Sequence, residues 1–294
     1  MANPKSAAWY SGGINGPTFD QPGIGTIFWV DGSNGVDTNS GLTQSAPLLT
    51  ITAAIAKCTA GANDYVVVSS YPNPAPGTET FPIAMTKSKV HLIGTMSQAS
   101  PSPYINPPAD THCIAVTASN CEIAGFELGA GATKTCIHIS GVTWKTNVHH
   151  CWMGWQDTCL NGIILSAGTD DAPQSWIHDN FFGINMTGVN LYVTFNSTRS
   201  VIEHNTFLGV ASGQVGIHVE NTMANGIIRE NSFKVADAAA GEAITLDATA
   251  ADNCMLYGNV AMQGKVAFAN IPWLDGGTND WGLNYSNILA VNPA

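Results

Sequence analysis

The chain has 294 residues, of which 45% are apolar and only 11% charged, with a net charge of −11; an ordinary soluble domain carries roughly 25% charged residues. Lys and Arg together number ten, and Arg199 and Arg229 are the only arginines, so the basic footprint that nucleic-acid binding requires is missing. No run of 18 apolar residues occurs, which excludes an expected transmembrane helix.

Residues 1–26 are rich in Gly and Pro and lack the apolar core of a signal peptide, so they are expected to form an N-terminal docking arm on a protein made in a reducing cytosol. Residues 27–64 read as an N-terminal cap. A β run, Thr26-Ile27-Phe28-Trp29-Val30, precedes the turn-rich stretch Asp31 to Gly41. That stretch superficially resembles a calcium loop, but its glycine stands at the fifth place and Leu42 where a bidentate Glu belongs. Asp31, Asp37 and Asn39 are expected instead to hydrogen-bond local backbone. Ile51, Ala54, Ile55 and Cys58 then recur at helical spacing with Gly61 as the expected C-cap, which predicts a short amphipathic capping helix.

Residues 65–262 carry the strongest signal. Ile177-His178-Asp179-Asn180-Phe181-Phe182 returns as Ile202-Glu203-His204-Asn205-Thr206-Phe207, Ile228-Arg229-Glu230-Asn231-Ser232-Phe233 and Leu256-Tyr257-Gly258-Asn259-Val260-Ala261, with the asparagines 25, 26 and 28 residues apart. Weaker copies begin at Val148, Ile123 and Leu92. A repeat of this length is one rung of a solenoid, which buries its apolar face by stacking on its neighbours. Each rung holds a "Gly-Ile-x-Val" strand, such as Gly216 to Val219, and an "Ile-x-x-Asn-x-Phe" strand. The Ile and Phe are expected to point inward and the two residues before Asn outward. The asparagines fit a left-handed turn and rung-to-rung amide bonding. Segments 72–82 and 97–109 read as loops. After Asn259 the pattern fades, so 263–294 is read as a C-terminal cap or subunit-contact tail. The seven cysteines are odd in number and form no CxxC pair; they read as reduced apolar fillers.

The rung repeat, together with the opening Phe28-Trp29-Val30-Asp31-Gly32-Ser33-Asn34-Gly35 and Pro47-Leu48-Leu49-Thr50-Ile51-Thr52-Ala53-Ala54-Ile55, resembles the pectin-lyase-like superfamily, and within it phage tail and virion-associated proteins. The resemblance spans roughly residues 26–262. It implies an all-β fold, a single-stranded right-handed parallel β-helix with an N-terminal capping helix. Activity does not follow, because this fold hosts lyases, hydrolases, adhesins and inert virion parts.

Stacking the rungs places His149, His178, Glu203, Arg229 and Tyr257 in one outward column, and His150, Asp179, His204 and Glu230 in the next. Rungs lie about 4.8 Å apart, so Asp179, Glu203 and Glu230 are the candidate catalytic carboxylates of a glycosidase. The plainer reading is a charge-complementary ladder on a solvated wall, with His178–Glu203–Arg229 and Asp179–His204–Glu230 as its stacks. Pectate lyases of the superfamily use acidic calcium ligands and an arginine base. Arg229 stands between Glu203 and Tyr257 rather than beside an Asp cluster, so lyase chemistry is not expected. Asp157, Asp170 and Asp171 form the densest acidic patch and are the candidate ligands of a hard cation, against a simple polar turn beside Pro173. Trp152, Trp155 and Trp176, with Trp144, are candidates for stacking on sugar rings or for packing a subunit interface.

The expectation from sequence is therefore a phage virion structural protein: a β-helix homotrimer acting as capsid decoration, cement or a short appendage. It would dock on other virion proteins through its arm, without cofactor or metal. The alternative is a polysaccharide depolymerase of tailspike type acting on cell-surface polysaccharide. A third reading is a glycan-binding adhesin or filament subunit.

Overall fold

The computed structural model describes residues 25–72, 75–95, 103–141, 143–166, 174–210, 213–235, 241–247, 253–263, 273–275 and 279–286. Its strands form three parallel sheets that the chain visits in turn. The first sheet runs, in stacking order, through Ile27–Asp31, Asp64–Ser70, Val90–Gly94, Glu122–Ala124, Asn147–His149, Trp176–His178, Val201–Glu203, Ile227–Arg229, Met255–Tyr257 and Asp280–Trp281. The second contains Tyr104–Ile105, Glu127–Leu128, Trp152–Met153, Phe181–Phe182, Thr206–Val210, Ser232–Val235, Val260–Gln263 and Tyr285–Ser286. The third contains Ile83–Met85, Ile114–Val116, Thr135–Ile139, Asn161–Leu165, Val189–Val193, Val215–Val219, Glu242–Leu246 and Trp273–Asp275. Each strand pairs in parallel with its counterpart one turn away, as Ile177 does with Ile202 and Phe182 with Phe207. This is a parallel β-solenoid, the stacked-rung fold that the repeat implied.

The interior follows from the rung pattern. Ile177, Ile202, Ile228 and Leu256 line one inner wall, and Phe182, Phe207 and Phe233 another, all at 1% exposure or less. The three phenyl rings stack nearly parallel at 4.4 and 4.6 Å, at the short end of the separations that aromatic pairs adopt. All seven cysteines are free and buried, and burial holds the Cys151 thiol up at about 12. They are apolar fillers in structure as in sequence.

A second interior feature runs beside the phenyl stack. Asn180, Asn205, Asn231, Asn259 and Asn284 form one buried amide ladder. From Asn205 to Asn284 each Oδ1 accepts the backbone N–H and the Nδ2–H of the asparagine one rung earlier, at 2.9–3.1 Å, and Asn180 Oδ1 accepts the Cys151 N–H. The other Nδ2 hydrogens go to the carbonyls of Val148, Ile177, Ile202, Ile228 and Leu256. The left-handed residue of the turn is not the asparagine but the one before it. His150, Asp179, His204 and Glu230 all have φ of 53°, and Gly258 has 69°. This corner bends the chain, so the "Ile-x-x-Asn-x-Phe" phrase is two short strands on different sheets and not one. The ladder also runs a rung further than the repeat suggests, because Trp281-Gly282-Leu283-Asn284-Tyr285-Ser286 keeps the asparagine while losing the flanking Ile and Phe. Tyr104–Ile105, read from sequence as loop, is the first strand of the second sheet.

The helix covers Ile51–Lys57, with Thr50 Oγ1 accepting the Ala53 N–H as N-cap, and it buries Ile51, Ala54 and Ile55. Gly61 has a left-handed φ of 80° but lies beyond the helix end. Lys87 Nζ takes the closing role instead, donating to the carbonyls of Ala56 and Cys58, where a cation also suits the helix dipole. Asp31 Oδ1 accepts the Ser33 and Asn34 N–H groups, Asp37 Oδ1 those of Leu49 and Thr50, and Asn39 Nδ2 donates to the Pro47 carbonyl. These polar turn residues thus serve the backbone. No helix among the described residues is long and apolar enough to cross a membrane.

Candidate functional site

In each rung the outward positions follow from the alternation of the pleat and from the left-handed corner. Four columns result on the wall that wraps from the first sheet to the second. The first is His91, Glu122, Asn147, Trp176, Val201, Ile227 and Met255. The second is Ala124, His149, His178, Glu203, Arg229 and Tyr257. The corner gives His150, Asp179, His204 and Glu230. The fourth, on the second sheet, is Tyr104, Glu127, Trp152, Phe181, Thr206 and Ser232.

The first two columns are knitted into one polar network. Asn63 Oδ1 lies 2.7 Å from His91 Nε2, whose Nδ1 lies 2.5 Å from Glu122 Oε2. Glu122 Oε1 is 2.8 Å from His149 Nε2, and His149 Nδ1 is 2.8 Å from His150 Nδ1. The His149 and His178 rings stack at 4.8 Å, and the Trp176 indole lies flat on His178 at 3.9 Å. His178 also bonds Asp179 through Nδ1 at 2.7 Å and meets Asn147 Oδ1 at 3.1 Å. Trp176 Nε1–H donates to Glu203 Oε1 at 2.7 Å; Arg229 Nε–H donates to Glu203 Oε2 and an Arg229 terminal N–H to the Tyr257 hydroxyl.

The second column is not a solvated ladder. His149 and Glu203 are each only 5% exposed, and each is bonded by a first-column side chain of the rung before, Glu122 for His149 and Trp176 for Glu203. The cross-rung pairs Glu203–Arg229 and His204–Glu230 exist, whereas His178 bonds sideways to Asp179 within its own rung. Glu122 shows what this enclosure does. Burial opposes its ionisation, but hydrogen bonds from His149 and His91 outweigh that and hold the carboxyl down at about 2. Burial lowers the basicity of His150 and of His178, in the latter case against the hydrogen bond to Asp179. Glu203 hydrogen-bonds Arg229 and holds its guanidinium charged well beyond the ordinary range.

Beside this network lies an apolar platform. Trp152 and Phe181 stack face to face at 4.7 Å, and Trp155 meets both edge-on at 6.1 and 5.8 Å. Trp152 and Trp155 are 44% and 42% exposed. Trp176 is exposed on the opposite side of the corner, so the corner residues His150 and Asp179 lie between the column of Trp176 and that of Trp152.

The sequence-predicted residues are thus distributed as follows. Glu203 is buried and committed to Trp176 and Arg229. Asp179 and Glu230 sit on the exposed corner, each bonded to a histidine. Trp152 and Trp155 share one platform, while Trp176 lies across the corner from them. Asp157 accepts a hydrogen bond from Asn106 Nδ2 at 2.9 Å, and Asp170 and Asp171 lie outside the described residues. No group of three metal-ligating side chains occurs among the described residues. Sequence reasoning missed His91, Glu122 and Phe181. The signal was present, since the weak copies at Leu92 and Ile123 put His91 and Glu122 just before the inward residue, as Trp176 is before Ile177.

Solved structures similar to this chain include a lacto-N-biosidase of family GH136 from Eubacterium ramulus, at 10% identity and a TM-score of 0.39 over 90% of this chain and 68% of that one. A pectate lyase, Pel9A, is similar at 13% identity and a TM-score of 0.43, over 92% of this chain and 82% of the other. No curated protein matches the sequence. The family described as Protein of unknown function (DUF1565) matches residues 33–292, nearly the whole chain, and the protein belongs to that family.

Proposed function

We propose that this protein is a glycan-facing β-helix that binds a neutral saccharide chain across the corner of the wall, with Trp152, Trp155 and Phe181 as the stacking floor. The observation that carries this reading is the exposed Trp152–Phe181–Trp155 platform beside a hydrogen-bonding edge. A sugar ring presents C–H groups on one face and hydroxyls at its rim, so it suits a π face flanked by His150 and Asp179. Neutral glycans fit better than polyanionic ones, because a net charge of −11 repels acidic polymers. The outward carboxylates of the network are held by cationic or imidazole partners, which favours recognition over glycosidic cleavage by a carboxylate pair. The test is calorimetric titration with neutral and acidic bacterial surface oligosaccharides. Neutral chains should bind wild type and lose at least about tenfold in affinity to Trp152→Ala, since stacking contributes on the order of 1.5 kcal/mol beyond area burial. Equal affinity in the variant refutes the reading.

The second reading is that the same platform is a contact between copies in a virion-associated trimer. Exposed tryptophan is enriched at subunit interfaces, and the opening segment resembles phage-associated β-helices. Sedimentation separates the two: an oligomer that Trp152→Ala dissociates, with no glycan bound by either form, supports the trimer.

A further inference from the structure

With both rings neutral, the hydrogen bonds of the imidazole pair at the corner fit one proton arrangement. Glu122 is an ionised carboxylate and accepts only, so the nitrogen facing it at 2.8 Å, His149 Nε2, carries the hydrogen. In a neutral ring His149 Nδ1 is then a bare acceptor. His150 Nδ1, 2.8 Å away, must donate to it. That leaves His150 Nε2 with its lone pair, on an exposed side chain and without a bonding partner among the described residues. A buried carboxylate thus orients one imidazole, which orients a second, whose free nitrogen lies on the exposed corner that also carries Asp179.

We infer that Glu122, His149 and His150 form a proton relay in which His150 Nε2 is a general base for hydrolysis of acyl esters on the bound saccharide. The proposal rests on the glycan reading for its substrate and on the relay geometry for its chemistry. A base oriented by a second group, itself held by a carboxylate, follows the logic of activated hydrolytic centres. An imidazole suits ester cleavage, whereas glycosidic cleavage calls for two carboxyl groups with separate roles. In the step itself, His150 Nε2 takes a proton from water as the water oxygen bonds to the ester carbonyl carbon. Collapse breaks the bond between that carbon and the sugar oxygen, and the departing oxygen takes the proton back from His150. The products are the carboxylic acid and the free hydroxyl. During the step the imidazolium of His150 is stabilised through its Nδ1–H on His149 and, behind it, by the Glu122 charge. Burial keeps the basicity of His150 below that of a free imidazole, so the ring is in its base form at neutral pH. The titratable groups facing it are His149, His178 and Asp179.

The experiment measures acetate release from O-acetylated neutral oligosaccharides, and hydrolysis of p-nitrophenyl acetate, by wild type, His150→Asn, Glu122→Gln and His218→Ala. Asparagine tolerates the left-handed backbone at position 150, so that variant keeps the fold. It should lose about 100-fold or more in kcat/KM, the usual contribution of a general base. Glu122→Gln should lose rate and move the rising limb of the pH–rate profile to lower pH, because the imidazolium loses its counter-charge; a merely structural role would not move that limb. His218→Ala, on the third sheet, should match wild type. Saccharide binding without acetate release above the buffer rate overturns the relay and leaves the glycan reading intact. Release that survives His150→Asn also overturns it. Ester cleavage that depends on His150 in a protein binding no saccharide supports the relay and removes the proposed substrate.

Discussion

Replacing Asn231 with Ala should be among the most damaging single changes in the chain. Its side chain makes four buried hydrogen bonds: Nδ2 donates to the Ile202 carbonyl and to Asn259 Oδ1, and Oδ1 accepts both the backbone N–H and the Nδ2–H of Asn205. Truncation strands two donors on Asn205, which is 1% exposed. Each buried unsatisfied donor costs about 1–3 kcal/mol, so the loss should be about 2–6 kcal/mol before any cavity is counted. Urea unfolding followed by circular dichroism reads this directly, as a lower midpoint with an unchanged slope. Thr206→Ala, an outward neighbour of the same ladder, should change stability by no more than about 0.5 kcal/mol. A loss below about 1 kcal/mol for Asn231→Ala would refute the claim that the amide ladder, and not only the apolar fill, holds the rungs together.

Three further outcomes follow from the same structure. Glu122 has a folded value near 2 against 4.5 unperturbed, so its ionisation stabilises the fold by about 3 kcal/mol. That contribution is complete above about pH 4.5 and disappears as pH falls towards 2; the stability gap between wild type and Glu122→Gln should close over that window, and a gap independent of pH contradicts it. Asn190 is fully buried with neither amide atom partnered, and it sits between Gly162 and Gly216 in the third sheet. Asn190→Val should therefore raise stability, by about 1–2 kcal/mol, and a fall in the unfolding midpoint shows that the amide is satisfied after all. Gly162→Ala should cost about 1–3 kcal/mol by overpacking, because a Cβ there would stand 2.7 Å from the Phe182 ring and 2.8 Å from the Asn190 carbonyl; a variant as stable as wild type would show that the phenyl stack can shift.

The fold was legible because a β-helix writes its register into the sequence. A spacing of 25 to 28 residues between asparagines fixed the stacking order, and the inward Ile and Phe positions followed from the pleat. The corner was misplaced by one residue. Asparagine is the usual left-handed residue, so Asp179, His204 and Glu230 were read as ordinary outward positions, and only the backbone reveals that they turn the chain. The last rung was hidden for a related reason: at Asn284 the ladder survives without Ile or Phe to mark it. The candidate site was half legible. Columns of His, Asp, Glu and Arg could be aligned from the repeat alone. What could not be read was their enclosure, because it depends on one side chain, Trp176, lying flat over His178 and bonding Glu203 in the next rung. Nor could the pairing of His149 with Glu122 be seen, since a 27-residue separation says nothing about which ring nitrogen faces the carboxylate.

The central claim is that the Trp152–Phe181–Trp155 platform receives a saccharide. Its most direct test is the set of indole Nε1–H resonances of the ¹⁵N-labelled protein, titrated with a neutral oligosaccharide that binds. Saturable shifts confined to Trp152, Trp155 and Trp176, with Trp144 (equally exposed but outside the platform) unmoved, are the predicted result. Shifts at Trp144 with the platform silent would contradict it.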